Sequence, residues 1–215
     1  MIDRLIKEYG VGYIKMDYNI EPGIGTDLHA DSAGDGMLSH ERAYLKWLEA
    51  VFKRYPDLVI ENCSSGGLRM DYAMLSRYSI QSTSDQDDYR YYCTIAANSP
   101  SALTPEQSAI WSYPLREGDR EEVVFNMVNA MLLRIHQSGH LAELTQERRD
   151  LVKEALDITK LFEKISKIVF RSGQLDYRSF MMNGPVLVCN QKTKFIWLCG
   201  EEMAINLSLK FHSNS

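Results

Sequence analysis

The 215-residue chain has no surplus of positive charge: 24 Lys and Arg stand against 29 Asp and Glu, a formal net charge of −5. A nucleic-acid footprint needs clustered basic side chains, so no nucleic-acid partner is expected. Long apolar runs are missing too. No stretch approaches the ~18 uncharged apolar residues of a membrane span, and no membrane partner is expected. The four cysteines, Cys63, Cys93, Cys189 and Cys199, form no Cys-x-x-Cys pair. Asp27, His29, His40 and His140 lack the His-x-x-x-His spacing of a helix-borne site, so no metal is assigned. The opening segment Met1 to Gly10 alternates charged with apolar residues and holds no apolar core of signal-peptide length, which makes a cytoplasmic protein with reduced thiols the expectation. Internal repeats and low-complexity segments are absent as well.

What is present is ordinary globular composition, 45% hydrophobic and 25% charged, enough for one large domain or a domain with a small appendage. Residues 2 to 9 read as a helix stopped by Gly10, and Val11 to Met16 as a buried strand. The segment from Glu21 to Gly36 is rich in turn residues and long for a passive connection, so a functional loop is expected over the site. From Ser39, taken as an N-cap, to Tyr55, the apolar residues Tyr44, Trp47, Leu48, Val51 and Phe52 recur at helical spacing, and Pro56 closes the helix.

Leu58 to Cys63 reads as a strand, Met70 to Tyr78 as a short helix and Ser79 to Ser84 as a further strand, the alternation that builds a parallel sheet. Tyr89 to Ala97 is a helix, Ala102 to Gln107 a strand end and loop, and Phe125 to His136 fits either strand or helix. Thr145 caps a helix to Ile165, whose apolar face includes Leu151, Val152, Ala155, Ile158, Leu161 and Phe162. Beyond Ile168 the pattern becomes apolar runs with turns, including one at Gln191 to Lys194. A period-two alternation from Ile205 to Phe211 predicts antiparallel β.

Three of these strands end in chemistry. Tyr13-Ile-Lys-Met-Asp-Tyr-Asn19 and Gln81-Ser-Thr-Ser-Asp-Gln-Asp-Asp88 each end in an aspartate. Between them, Val59-Ile-Glu-Asn-Cys-Ser-Ser-Gly-Gly-Leu-Arg69 breaks into a small polar loop with a thiol and hydroxyls. Catalytic groups delivered from the ends of successive strands describe the rim of a parallel β/α barrel. Two carboxyls about 5 to 5.5 Å apart are what a retaining glycosidase needs, one ionised as nucleophile and one protonated as acid/base. Asp17 and Asp85 are the pair selected, although Asp87 and Asp88 share the second loop and chemistry alone does not separate the three. Lys15 lies two residues before Asp17, and strand alternation puts both on one face. There its ammonium would keep Asp17 ionised and donate to sugar hydroxyls. Asp85 would need a poorly solvated setting, or the nearby charge of Asp17, to hold its proton.

Taken together, Lys15-Met-Asp-Tyr-Asn19, Glu61-Asn-Cys-Ser-Ser-Gly-Gly-Leu-Arg-Met-Asp71 and Thr83-Ser-Asp-Gln-Asp-Asp88 resemble glycoside hydrolase family 36, the microbial α-galactosidases, from about Val11 to Phe162. The resemblance implies that Asp17 is the nucleophile and Asp85 the acid/base. It further implies that Lys15 and Asn19 contact galactose hydroxyls, and that the loop containing Cys63, Ser65 and Gly66 lies against the sugar's second carbon. Met16 and Ser82 stand where the family commonly has tryptophan, and Leu68 replaces a frequent glycine.

The implied fold is α/β. Residues 1–165 would form about the second half of a TIM (β/α)8 barrel, and residues 166–215 part of a small antiparallel β domain. Because the family's enzymes carry more sequence ahead of the nucleophile strand, the chain is expected to be a fragment with little turnover alone. The implied reaction is release of terminal α-linked galactose by double displacement, with no cofactor, on α-galactoside oligosaccharides. The full-length enzyme would be a homo-oligomer. α-N-Acetylgalactosaminidase, galactosyl transfer on the same scaffold and a non-catalytic carbohydrate-binding fragment are the alternatives.

Overall fold

A computed structural model describes the backbone of residues 1–171 and of the strands 186–190, 194–199 and 203–207, with side chains described over residues 1–161. Two compact units result, Met1–Leu144 and Thr145–Ser215. The first begins with helix α1 (Ile2–Tyr9), stopped as expected by Gly10, whose φ of 67° is the left-handed conformation that glycine adopts without strain. Strand β1 (Tyr13–Asp17) follows. It is less buried than the sequence suggested, because it forms one border of the sheet and its alternate side chains are exposed.

Helix α2 (Ala33–Arg54) starts about two turns earlier than the Ser39 cap implied. Its N-cap is Ser32, whose hydroxyl accepts from the Asp35 N–H at 3.1 Å. Two glycines allow the preceding loop to lie on this first turn. A Cβ on Gly36 would sit 1.9 Å from the Thr26 carbonyl oxygen, and one on Gly25 would sit 2.1 Å from that of Ala33. Residues that looked like loop punctuation are close-approach points between this loop and the helix start.

The alternation continues with β2 (Val59–Cys63), α3 (Tyr72–Leu75), β3 (Ile80–Ser82), α4 (Tyr89–Asn98), β4 (Ser108–Ser112), α5 (Arg120–Met131) and β5 (Arg134–Gln137). All five strands pair in parallel in the order β1-β2-β3-β4-β5. Ala102 to Gln107 contains no strand; β4 starts at Ser108, and its Ser-Ala-Ile-Trp-Ser sequence carries little apolar signal. Phe125 to His136 is not one element: α5 ends at Met131 and β5 begins three residues on. Helix α3 is also shorter than Met70–Tyr78, with Asp71 capping it through bonds from the Ala73 and Met74 N–H groups.

The core lies on the helix-facing side. Leu48, Val51, Leu58, Ile60, Met74 and Tyr78 are buried together, with Ile14 and Met16 of β1 and Ile2 and Ile6 of α1 packed against them. Burial of each such aliphatic side chain stabilises the fold by about 1.5–3 kcal/mol. A second cluster, Tyr92, Ala96, Ile110, Ala130 and Leu133, joins α4 and α5 to β4. Met16 accepts from the hydroxyls of Tyr44 and Tyr78 at 3.8 and 3.6 Å. Tyr44 and Tyr78 also hydrogen-bond each other, and burial raises the Tyr78 hydroxyl's pKa.

In the second unit, helix α6 (Gln146–Arg171) is followed by β6 (Val186–Asn190), β7 (Lys194–Cys199) and β8 (Met203–Leu207), which pair antiparallel in that order. Thr145 does cap α6, its hydroxyl accepting from the Arg148 N–H at 3.4 Å. Leu161, read as part of the apolar face, is 51% exposed. The expected turn at 191–193, the strand continuation past Leu207 to Phe211, and the side chains of Phe162, Ile165, Cys189 and Cys199 lie outside the described residues. No helix among the described residues is long and apolar enough to cross a membrane.

Candidate active site

Parallel pairing puts register partners on the same face of the sheet. Lys15 pairs with Glu61, Asp17 with Cys63, Glu61 with Ile80, Ser82 with Ala109 and Trp111 with His136. The face opposite the helices therefore carries Tyr13, Lys15, Asp17, Glu61, Cys63, Ser82, Trp111 and His136. Asp17 and Cys63 stand at the C-terminal ends of their strands, and Asp85 three residues past the end of β3.

The three motifs are joined by backbone. The Tyr18 N–H donates to the Cys63 carbonyl at 2.9 Å, the Ser64 hydroxyl donates to the Tyr18 carbonyl at 2.6 Å, and the Ser65 N–H donates to Asn19 Oδ1 at 2.7 Å. Gly66, at φ 78°, forms an antiparallel bridge with Ser84. A Cβ there would lie 2.5 Å from Ser84 Cα and 2.7 Å from the Asp85 nitrogen. Glycine is thus required both by conformation and by contact, and it seats the Cys63–Gly66 loop directly on the segment that carries Asp85. Arg69 braces the first loop: its guanidinium lies 3.9 Å from the Tyr18 ring centre and donates to the Tyr18 and Ile20 carbonyls at 3.2 and 2.9 Å.

The site residues inferred from sequence are thus placed as follows. Asp17, Asn19, Cys63, Ser65 and Gly66 form one contiguous rim that reaches Asp85, while Lys15 stands two residues lower on β1. Asp17 and Asp85 are both solvent-exposed, so the poorly solvated setting considered for Asp85 is not found among the described residues. Asp88 leaves the list of candidate acids. It caps α4 by accepting from the Arg90 N–H and takes two bonds from the Arg90 guanidinium, which hold its carboxyl below the usual range. Burial pushes the Cys63 thiol up, outweighing the bond from the Gly66 backbone and the nearby Lys15 charge. Burial likewise raises the Tyr113 hydroxyl, with the charges of Asp85 and Asp87 adding to it.

Four residues on this face were not singled out from sequence: Tyr13, Glu61, Trp111 and His136. Counting back by two from Asp17 and from Cys63 would have found Tyr13 and Glu61. Trp111 and His136 had no such signal, since β4 was not recognised as a strand and the segment ending in His136 fitted either strand or helix.

The fold and rim define a class: a parallel α/β protein whose acids, thiol and lysine gather on one sheet face and at the C-terminal ends of its strands. Residues 1–171 match the Melibiase family. The chain belongs to that family, in the region it shares with the glycoside hydrolase family 36 α-galactosidases. It is 30% identical over 102 residues to an α-galactosidase of Escherichia coli, a match covering 47% of this chain and 14% of the relative. An α-galactosidase from Lactobacillus brevis superposes with a TM-score of 0.69 at 15% identity, over 100% of this chain and 29% of its own. A variant of the α-galactosidase AgaA from Geobacillus stearothermophilus, solved with raffinose, superposes with a TM-score of 0.63 at 17% identity, over 91% and 26%. The chain therefore spans less than a third of the length of these relatives.

Proposed function

We propose that this chain carries the nucleophile, the acid/base and part of the sugar-binding rim of a retaining α-galactosidase. In this reading, residues 1–165 are about the second half of a (β/α)8 barrel and residues 166–215 part of a small β domain. The unpaired outer edges of β1 and β5 among the described residues support a sheet that continues. The single observation that carries the proposal is the seating of the Cys63–Gly66 loop, hydrogen-bonded to Asn19, on the backbone of Ser84 and Asp85. That contact gathers three motifs, scattered through the chain, at one rim in a member of the Melibiase family.

The chemistry needs only side chains. The Asp17 carboxylate attacks the anomeric carbon while the glycosidic C–O bond breaks and Asp85 gives its proton to the departing oxygen. Asp85, now ionised, takes a proton from water, whose oxygen attacks the same carbon and frees Asp17. Lys15 and Asn19 bind the sugar hydroxyls. With Asn19 Oδ1 engaged by Ser65, its amide N–H groups are what it offers. The substrates are α-galactoside oligosaccharides of the raffinose kind, the sugar bound by the AgaA variant. The free thiols Cys63 and Cys93 fit a cytoplasmic setting, and the native enzyme is a homo-oligomer in this reading.

The test is the leaving-group dependence of Asp85→Ala. Aryl α-galactosides with very good leaving groups should lose least and alkyl galactosides on the order of 10³-fold, within the range for general acid catalysis. Equal loss across leaving groups removes Asp85 from the role. Proton NMR of the wild-type reaction should show α-galactose first, and β-galactose first would exclude retention.

A further inference from the structure

The rim reading leaves the most buried charged side chain of this face without a task. Glu61, the third residue of β2, is 1% exposed. It lies two residues, or about 6.6 Å at the usual strand rise, below Cys63, so it stands beneath the rim. A carboxylate so far removed from water requires partners. Its Oε2 accepts from the Tyr13 hydroxyl and lies 3.8 Å from His136 Nδ1. Its Oε1 has no hydrogen bond among the described residues and faces Lys15 Nζ at 3.6 Å.

Lys15 is in turn bounded on another side by the Trp111 ring, whose centre is 4.5 Å from Nζ. The Trp111 ring is set edge-on to His136 at 5.4 Å. Four strands thus contribute to one arrangement: Tyr13 and Lys15 from β1, Glu61 from β2, Trp111 from β4 and His136 from β5.

We infer that Glu61 is a positioning residue, its buried carboxylate oriented by Tyr13 and His136 so that it and the Trp111 ring fix the Lys15 ammonium in one place for the sugar. A lysine on a four-carbon stem is a mobile point charge with no geometry of its own. Here an anion and the face of an aromatic ring supply that geometry, since each attracts a cation from a fixed direction. His136 does not compete for Oε1, because its Nδ1 lies on the Oε2 side; burial favours its neutral form and outweighs the opposing pull of Glu61. The role of Lys15 in sugar binding rests on the function proposed above; the Lys15–Glu61–Trp111 geometry does not.

The test uses Glu61→Gln, which keeps side-chain size and an acceptor for Tyr13 but removes the charge. The first readout needs no catalysis. Ring current from Trp111 should shift the Lys15 ε-methylene resonance of the native protein upfield, and in Glu61→Gln the resonance should move to the position of an exposed lysine. An unchanged resonance overturns the inference whatever the protein catalyses.

The second readout is kinetic. In Glu61→Gln, KM for an aryl α-galactoside should rise roughly tenfold with kcat within about threefold, and adding Glu61→Gln to Lys15→Met should cost no more than Lys15→Met alone, as expected of a coupled pair. Glu61→Asp, which restores the charge, should recover part of the loss. Equal loss with and without Lys15 would mark Glu61 as merely structural. Because this chain alone is expected to turn over little, the kinetic comparison is made in the full-length enzyme; absence of any activity there would instead refute the proposed function, and the resonance would still decide the positioning role.

Discussion

The two faces of the five-stranded sheet are made by the same strands and obey opposite rules. Toward the helices, Ile14, Met16, Ile60 and Ile110 pack among Leu48, Val51, Tyr92 and Ala130. On the other side, the intervening residues of the same strands are Lys15, Asp17, Glu61, Cys63 and Trp111. One face stores stability and the other chemistry, separated by a single step along the backbone. A strand in such a sheet does not read as uniformly apolar, and the charged residues in it mark the face that is not packed by helices.

Substitutions on either side should therefore separate stability from activity. The largest effect is expected at Ile60, fully buried on the helix side. Ile60→Ala should lower unfolding stability by about 2–5 kcal/mol, measured by urea titration, while the folded fraction keeps its KM. A large KM change with little loss of stability would break the division between the faces. Gly66 comes next, at the junction of rim loops. Gly66→Ala meets the Ser84 backbone and a positive φ, so it should cost about 1–3 kcal/mol. It should also lower kcat/KM by at least about tenfold, because displacing the loop displaces Asp85. Full activity in that variant would show that the loop contact is not what sets the acid.

The smallest effect concerns His136 and pH. Burial lowers its pKa, so near and below pH 6.5, the ordinary value, the unfolded chain binds more protons than the folded one. The stability tied to neutral His136 is present above that pH and declines as pH falls toward the folded pKa. His136→Gln removes this linkage, and its Tm should fall less between pH 7 and pH 5 than that of the native protein. A steeper fall in the variant would reverse the sign.

Much of the fold could be read from the chain where the signals are local. Gly10 ends α1, and Asp17 and Cys63 end successive strands as their motifs implied, while β3 is shorter than Ser79–Ser84 and stops at Ser82. What escaped depends on contacts between one segment and another rather than on the residues of one element. The start of α2 is set by Gly25 and Gly36 meeting Ala33 and Thr26, and β4 owes its place to the pairing of its Ser-Ala-Ile-Trp-Ser run with β3 and β5. The site followed the same division. The motif residues were legible, whereas the task of Glu61 emerged only when β1, β4 and β5 brought Lys15, Trp111 and His136 beside it.

The central claim is that Asp17 forms the covalent bond to the sugar. It is tested most directly by trapping that bond with 2-deoxy-2-fluoro-α-galactosyl fluoride in the native protein, then digesting and sequencing the labelled peptide by mass spectrometry. The account expects one added fluorogalactosyl group, located on Asp17 and absent when Asp17 is replaced by asparagine. A label on another residue, or none in a protein that still hydrolyses α-galactosides, would contradict it.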